Sequence, residues 1–497
     1  MWRQVVTSGT WKTRRLLVRA WRALLALDVK EAERLVRELD HSEGGTIAQS
    51  AIRDCSTVVL RAALLAVQDD STGAMDLVRQ AHEADLTCRS LAATICRWAH
   101  CQAGEVTEFH GVGRGHWRLT SHRRQAIAAI FDLDLEAAVE FGRLRLAVSG
   151  RLAAEALELS RSRTCSESAA GLLAAALVAQ VAYEQGQLNE AEAVIRYRMR
   201  AIRNSATIEC VTRAYVILAR LAVHRQQSDS ALTLLQDAQN LAEKRSWPRL
   251  AAAALAERIR ILLDDGETTA ALSSLRVLEA LVGSQPATGG TVRADIELHC
   301  QLAHLRFMQR RAVAADTATA VESLRQSAIA RSDLRLALEM HLISVSAYAQ
   351  CGERFEAQER LIDALDIGAA NGLCMTFVDA GPVVRKLLSE LCQDPSISDE
   401  RVLELRPYIH TLLARSSGPQ LPASAARRQP EAVRQPLTRR ESNVLRLIAN
   451  GLSNKRIAQR LDITPETVKS HAKSIFVKLA AQTRAQAVAR AEALGLI

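Results

Sequence analysis

From the amino terminus to about residue 414, apolar positions recur three or four residues apart in one run after another. Leu255, Ile259 and Leu262 keep that spacing, and so do Leu338, Leu342 and Val345. This is the period of a helix that buries one stripe and shows water the other. No segment alternates apolar and polar residues as a half-buried strand would. The pattern predicts an all-α chain of many short helices. One core of this length would be unusual, so the fold should be built from units that stack.

The breaks between runs repeat. YEQGQLNEAEAV (183–194), LLDDGETTAALSSL (262–275) and YAQCGERFEAQERL (348–361) each carry a glycine, Gly186, Gly266 or Gly352, with an alanine five residues on, Ala191, Ala271 or Ala357. Copies without the glycine place Ala231 and Ala315 in register, so successive alanines stand 40, 40, 44 and 42 residues apart. Similar restarts occur around Asp28–Ala32, Asp69–Ala74 and Gly150–Ala156. A glycine accepts the left-handed end of the first helix, and an alanine lets the second cross it closely. The pattern resembles tetratricopeptide-type repeats in a long form of about 40 residues, stacked as a superhelix. An irregular helical bundle is the alternative.

The stretch 415–436 interrupts this periodicity. It holds Pro419, Pro422, Pro430 and Pro436, few large apolar residues and no repeat, and is expected to be a flexible linker. The expected domains are therefore a helical-repeat sensor or interaction body over 1–414, the linker over 415–436, and a separate module over 437–497.

The module carries its own punctuation. Thr438 and Glu441 form a T-x-x-E capping box, and Gly451 ends the helix that follows. Ser453 starts a second, short helix that runs to Leu461. After Asp462-Ile463-Thr464 a third begins, with Pro465 where a missing N–H costs nothing. Thr483 and Gln486 cap a fourth. Two helices across a three-residue turn are a helix-turn-helix, whose second helix enters the DNA major groove. On that helix Val468, Ala472, Ile475 and Leu479 share one face, expected to pack on Ile457, Leu461 and Leu447. Glu466, Lys469, Ser470, Lys473 and Val477 share the other. An ordinary solvated surface helix would look the same on the wheel alone.

Composition sharpens the division. Aromatic residues make up 4% of the chain, which disfavours an all-β fold. The net charge is +9, but residues 437–497 hold 11 Lys or Arg against 4 Asp or Glu, and 415–436 hold 4 against 1. That leaves 64−15 = 49 basic and 55−5 = 50 acidic residues for the body. All the excess positive charge lies in the carboxyl-terminal 83 residues, as expected of a polyanion-binding module on a neutral body.

Across its 61 residues the module resembles the LuxR-type DNA-binding domain, in LTRRESNVLRLIANGLSNKRIA, in the turn DIT, in TVKSHAKSIFVKL and in RAQAVARAEALGLI. The resemblance implies that Lys469, Ser470 and Lys473 read bases. Asn454, Lys455, Thr467 and Lys478 would then meet the DNA backbone, and Ala485, Val488 and Ala489 would form a dimer helix. Leu479-Ala480 stands where the family usually has Leu-Gly, and Thr483 stands where asparagine is common, which affects the angle of the fourth helix. ALDIGAANGLCMTFVDAGPVVRKLL (364–388) is similar to the end of the superhelix in the large MalT-like regulators. Those carry an ATP-binding domain, but no G-x-x-x-x-G-K-[ST] occurs here, and GVGRGH (111–116) lacks the lysine and hydroxyl of a phosphate loop. That domain is expected to be absent, or to have been lost upstream of residue 1 through a misplaced start.

The resemblance implies duplex DNA as a partner, RNA polymerase as another, an inducer that is a small molecule or a protein, and a homodimer on DNA. No catalytic motif, cofactor or metal site is expected. The ten cysteines form no C-x-x-C pair, and Cys210, Cys300 and Cys374 read as buried thiols. Cys88, Cys96, His100 and Cys101 match no common zinc spacing. No apolar run reaches a membrane span, since the Ala-rich stretch near Ala169 is interrupted by Gln180. A cytoplasmic bacterial transcription regulator is the leading expectation, and a helical-repeat interaction scaffold with secondary DNA affinity is the alternative.

Overall fold

A computed structural model describes residues 11–25, 27–42, 55–79, 86–112, 123–163, 168–286, 290–310, 314–393, 400–416, 439–449, 452, 454–461 and 463–478. They belong to two compact units, Met1–Gly418 and Pro419–Ile497, a division that falls inside the expected linker. Among the described residues there is no strand.

The first unit is a succession of helix pairs. The early pairs are α1 (Trp11–Leu25) with α2 (Val29–Ser42), α3 (Cys55–Val67) with α4 (Ser71–Arg79), and α5 (Leu86–Ala103) with the short α6 (Val106–Gly111). Next come α7 (Arg123–Gly142) with α8 (Leu146–Arg163), α9 (Ala169–Glu184) with α10 (Leu188–Arg196), and the single turnings of α11 (Met199–Ser205). The later pairs are α12 (Ile208–His224) with α13 (Ser228–Arg245) and α14 (Pro248–Asp264) with α15 (Thr268–Gly283). They continue with α16 (Gly290–Arg310) and α17 (Ala314–Ala330), then α18 (Leu334–Gln350) and α19 (Arg354–Asn371). Three further helices, α20 (Met375–Val378), α21 (Pro382–Gln393) and α22 (Glu400–Ser416), close the unit.

One backbone device joins the pairs. Leu27, Asp69, Gly104, Leu144, Gly186, Gln226, Gly266 and Gly352 all have positive φ. In each case the next N–H bonds the carbonyl five residues back, as Gln187 does to Ala182 at 2.8 Å and Glu267 to Leu262 at 2.8 Å. This closure turns the chain sharply while satisfying carbonyls that the helix end leaves free. Five residues after each turn comes a fully buried side chain. Ala32, Ala74, Ala191, Ala231, Ala271 and Ala357 take that place, with Phe109 and Ser149 in the remaining two. The side chain of Ala315 lies outside the described residues.

The expected restart at Gly150–Ala156 is corrected. The turn is at Leu144, and Ser149 occupies the tight crossing, its hydroxyl donating to the Ala137 carbonyl at 2.7 Å. Gly150 sits inside α8, where an added Cβ would stand 3.2 Å from Val181, so its small size serves packing rather than the turn.

The first helices of successive pairs also pack on one another, α7 on α9, α9 on α12, α12 on α14 and α14 on α16. They bury Leu177, Val211, Leu218 and Ile259. The superhelix turns tightly enough for distant pairs to meet. Arg249 of α14 donates to Asp69 at 2.5 Å, and α18 packs on α7. The chain after α19 folds back on the middle of the unit. Cys374 N–H donates to the Glu184 carbonyl at 2.9 Å, and Tyr183 O–H to Asp379 at 2.8 Å. One apolar core therefore runs from Ala137 to Leu412. Cys210, Cys300 and Cys374 are buried, as the pattern implied, and Cys351 is exposed.

Candidate nucleic-acid interface

The second unit has three described helices, α23 (Arg439–Ala449), α24 (Asn454–Leu461) and α25 (Pro465–Lys478). Its core is Val444, Leu445 and Ile448 from α23, Ile457 and Ala458 from α24, and Val468, Ala472 and Ile475 from α25. Leu447, Leu461 and Ile463 are partly buried around it. The core residues of α23 and α25, and Ile457 with the partly buried Leu461 of α24, recur three or four positions apart, so the rotation of each helix about its axis is fixed. The expected packing face of α25 is present, while Leu479 lies outside the described residues. The wheel of α25 named Ile457, Leu461 and Leu447 as partners but missed Val444, Leu445, Ile448 and Ala458. The amphipathic spacing of α23 could have supplied three of these.

The turn between α24 and α25 is held at both ends. Ile463 N–H bonds the Ala458 carbonyl at 3.1 Å. Thr464 caps α25, its hydroxyl oxygen accepting from Thr467 N–H at 3.2 Å, and Pro465 is the first helical residue. After α23, Leu452 N–H bonds the Leu447 carbonyl at 3.2 Å. Glu441, expected in a capping box with Thr438, is only 5% exposed and accepts from the Ser474 hydroxyl at 2.6 Å. That bond ties the start of α23 to the third turn of α25. Sequence alone showed no reason to pair these two residues, and Thr438 lies outside the described residues.

With α25 so fixed, Lys469, Ser470 and Lys473 are exposed, one, two and five positions after the buried Val468. Lys469 reaches Glu466 at 3.2 Å in an exposed pair. Such a pair is worth at most about 1 kcal/mol and yields readily to a better anion. Thr467 is exposed beside them, and its hydroxyl meets that of Thr464 at 2.7 Å. Asn454 opens α24 and is half-buried. Lys455 belongs to α24 and Lys478 ends α25, but their side chains lie outside the described residues. Ala485, Val488 and Ala489 lie outside them altogether. The exposed Arg456 and Arg460 add positive charge on α24 that the sequence reading did not single out.

Residues 15–394 match the family described as MalT-like TPR region, and residues 435–491 match bacterial regulatory proteins of the luxR family. The chain belongs to the MalT-like TPR family. Its tail adds the luxR-type helix-turn-helix to that body. Among relatives, an HTH-type transcriptional regulator MalT of Klebsiella pneumoniae (strain 342) is 30% identical over 186 residues, covering 35% of this chain and 20% of that protein. A protein of the same name from Yersinia pestis (strain Pestoides F) is 28% identical over 183 residues, covering 32% and 19%. The match spans about a fifth of the length of these relatives. The chain also resembles a solved structure, that of Rap protein complexed with competence and sporulation factor. The TM-score is 0.55 at 10% identity, over 73% of this chain and 99% of that one. At that identity the likeness concerns the fold alone. Among the described residues no helix is long and apolar enough to cross a membrane, and no three His, Cys, Asp or Glu could hold a metal ion.

Proposed function

We propose that the chain is a bacterial transcription regulator whose tail reads duplex DNA and whose helical body receives the signal. One observation carries the DNA-reading part. Val468, Ala472 and Ile475 lock α25 into the core of a luxR-type module and leave Lys469, Ser470 and Lys473 outside. Lysine can donate to guanine O6 and N7, and serine can donate or accept. In this reading those three side chains contact base edges. Thr467, Asn454, Lys455 and Lys478 hold phosphates, and Ala485, Val488 and Ala489 pair two copies on DNA. A single module buries little surface, so two half-sites raise affinity through effective concentration. RNA polymerase is the further partner, and a small molecule or protein the inducer.

Footprinting on the chain's own promoter tests the assignment. Lys469→Ala and Lys473→Ala should each weaken protection, and at least one should relax the preferred sequence. Protection by both variants equal to that of the parent would reject it.

A further inference from the structure

The body holds three adjoining cavities lined mainly by α9, α12, α14 and α18. The first and second share Gln180, Thr212 and Arg213, and the second and third share Arg220 and Arg335. The middle one is open to solvent and lies between the other two. Phe141, Val216 and Ile217 give it an apolar wall.

Its charges are unevenly matched. At one end Arg249 pairs with Asp69 at 2.5 Å and Asp295 at 2.9 Å. At the other, Arg220 pairs with Glu257 at 3.0 Å and Asp379 at 3.3 Å, Arg260 with Glu257 at 2.6 Å, and Arg306 with Glu339 at 3.0 Å. Arg335 joins Glu339 at 3.4 Å. Arg213 lies between these networks. It donates to the Gln180 side chain at 2.8 Å and the Glu209 carbonyl at 3.2 Å, and among the described residues it forms no ion pair. Behind it Asp134 is fully buried with neither carboxyl oxygen hydrogen-bonded, and burial pushes that carboxyl far up despite the Arg213 charge. Glu184, the one carboxyl lining the middle cavity, is also pushed up by burial, against the Thr376 N–H that it accepts at 2.9 Å. The cavity wall thus carries one half-buried guanidinium that, among the described residues, forms no ion pair and bonds only a neutral amide and a backbone carbonyl.

We propose that the middle cavity binds a small organic anion, its carboxylate or phosphate held by Arg213 beside Gln180 and Thr212 and its short apolar body against Phe141, Val216 and Ile217. This rests on the reading of the body as the part that receives the signal, and it names the chemistry of that signal. A planar guanidinium with a glutamine amide alongside suits the paired oxygens of either head group.

The experiment is calorimetric titration of the full chain with butyrate, glutarate, glycerol 3-phosphate and inorganic phosphate. Butyramide and glycerol serve as uncharged counterparts. At least one anion should bind saturably while its uncharged counterpart does not, and the comparison of the two series decides between carboxylate and phosphate. Arg213→Gln should weaken that binding about tenfold or more, and the exposed Arg276→Gln should leave it unchanged. If no anion saturates, or if Arg213→Gln binds as tightly as the parent, the proposal is overturned. Uncharged probes that bind as well as anions overturn it too, but leave a signal-receiving body intact. Should Arg213→Gln not fold, Arg213→Lys replaces it, with weaker binding expected and unchanged binding overturning the idea. Promoter footprints of the Arg213 variant without ligand should match the parent. If the parent itself leaves no footprint, the failure belongs to the DNA-reading assignment and not to the anion site.

Discussion

Partners, not burial alone, decide which way a buried carboxyl of the body is shifted. Asp379 accepts from Tyr183, His224 and Arg220. Burial pushes its carboxyl up, but the His224 bond and the Arg220 and Arg260 charges hold it below the ordinary range. Asp134 has no hydrogen-bond partner for either oxygen, and burial holds its carboxyl well above the ordinary range. Asp379→Asn should therefore cost about 1.5–3 kcal/mol, because His224 and Arg220 lose a charged acceptor while Glu257 still holds Arg220 at 3.0 Å, whereas Asp134→Asn should stay within about 1 kcal/mol of the parent; urea unfolding at neutral pH measures both. Asp69 is intermediate. Burial raises it to about 6 although Arg249 opposes the rise. A carboxyl whose folded value lies above its unfolded one favours folding below about pH 4, and that advantage is lost as pH climbs through 6. Relative to Asp69→Asn, the parent should lose about 2 kcal/mol between pH 4 and 6. A constant difference between the two across that range would show that Asp69 does not titrate there. None of this was legible in the sequence, where Asp134 is one acid among several in FDLDLEAAVE. Its isolation depends on α7 lying against helices far along the chain.

Among elements, the turn between paired helices was half legible. Gly186, Gly266 and Gly352 announced themselves, because glycine enters the left-handed region without penalty. Leu27, Leu144 and Gln226 did not, although they adopt the same conformation at φ 54, 63 and 58. The bond from the next N–H to the carbonyl five residues back holds them there, and that bond leaves no mark in residue identity. The alanine five positions on was the steadier signal, since it answers to a steric limit at the crossing. Two substitutions weigh these effects. An added Cβ at Gly266 meets nothing within 4 Å, so Gly266→Ala should cost about 1–2 kcal/mol from backbone strain alone. Gln226→Gly should stabilise by about 0.5 kcal/mol, the relief of strain exceeding the entropy glycine adds to the unfolded chain. Equal and opposite shifts are not expected. Denaturant midpoints of the two variants with unchanged slopes would check both values, and a destabilised Gln226→Gly would mean that its side chain contributes more than its backbone costs.

Across the whole molecule, charge and core divide along the same line. The core of the second unit lies between Val444 and Ile475, and the clusters of the first all end by Leu412. The excess positive charge follows the second unit and the 415–436 stretch, while residues 1–414 balance 49 basic against 50 acidic groups. This much could be read from the sequence, because composition is a property of segments and needs no packing to be seen. The bond from Ser474 to Glu441 could not, because it joins positions 33 apart that only the fold brings together. Charge segregation has a measurable consequence if the tail is the DNA-contacting part. Binding releases counterions in proportion to the phosphates neutralised, so the logarithm of the association constant falls with that of salt by about 0.9 per contact. Lys455→Ala and Lys478→Ala should each flatten that slope by about one and weaken all sequences alike. Lys473→Ala should weaken the preferred sequence more than a scrambled one. Arg276→Ala, a change to an exposed arginine of α15 in the body, should leave slope and affinity as they were. A slope that flattened for Arg276→Ala as much as for Lys478→Ala would assign phosphate contact to the body, against the balance of its charges. A slope unmoved by either lysine would remove both from the DNA backbone.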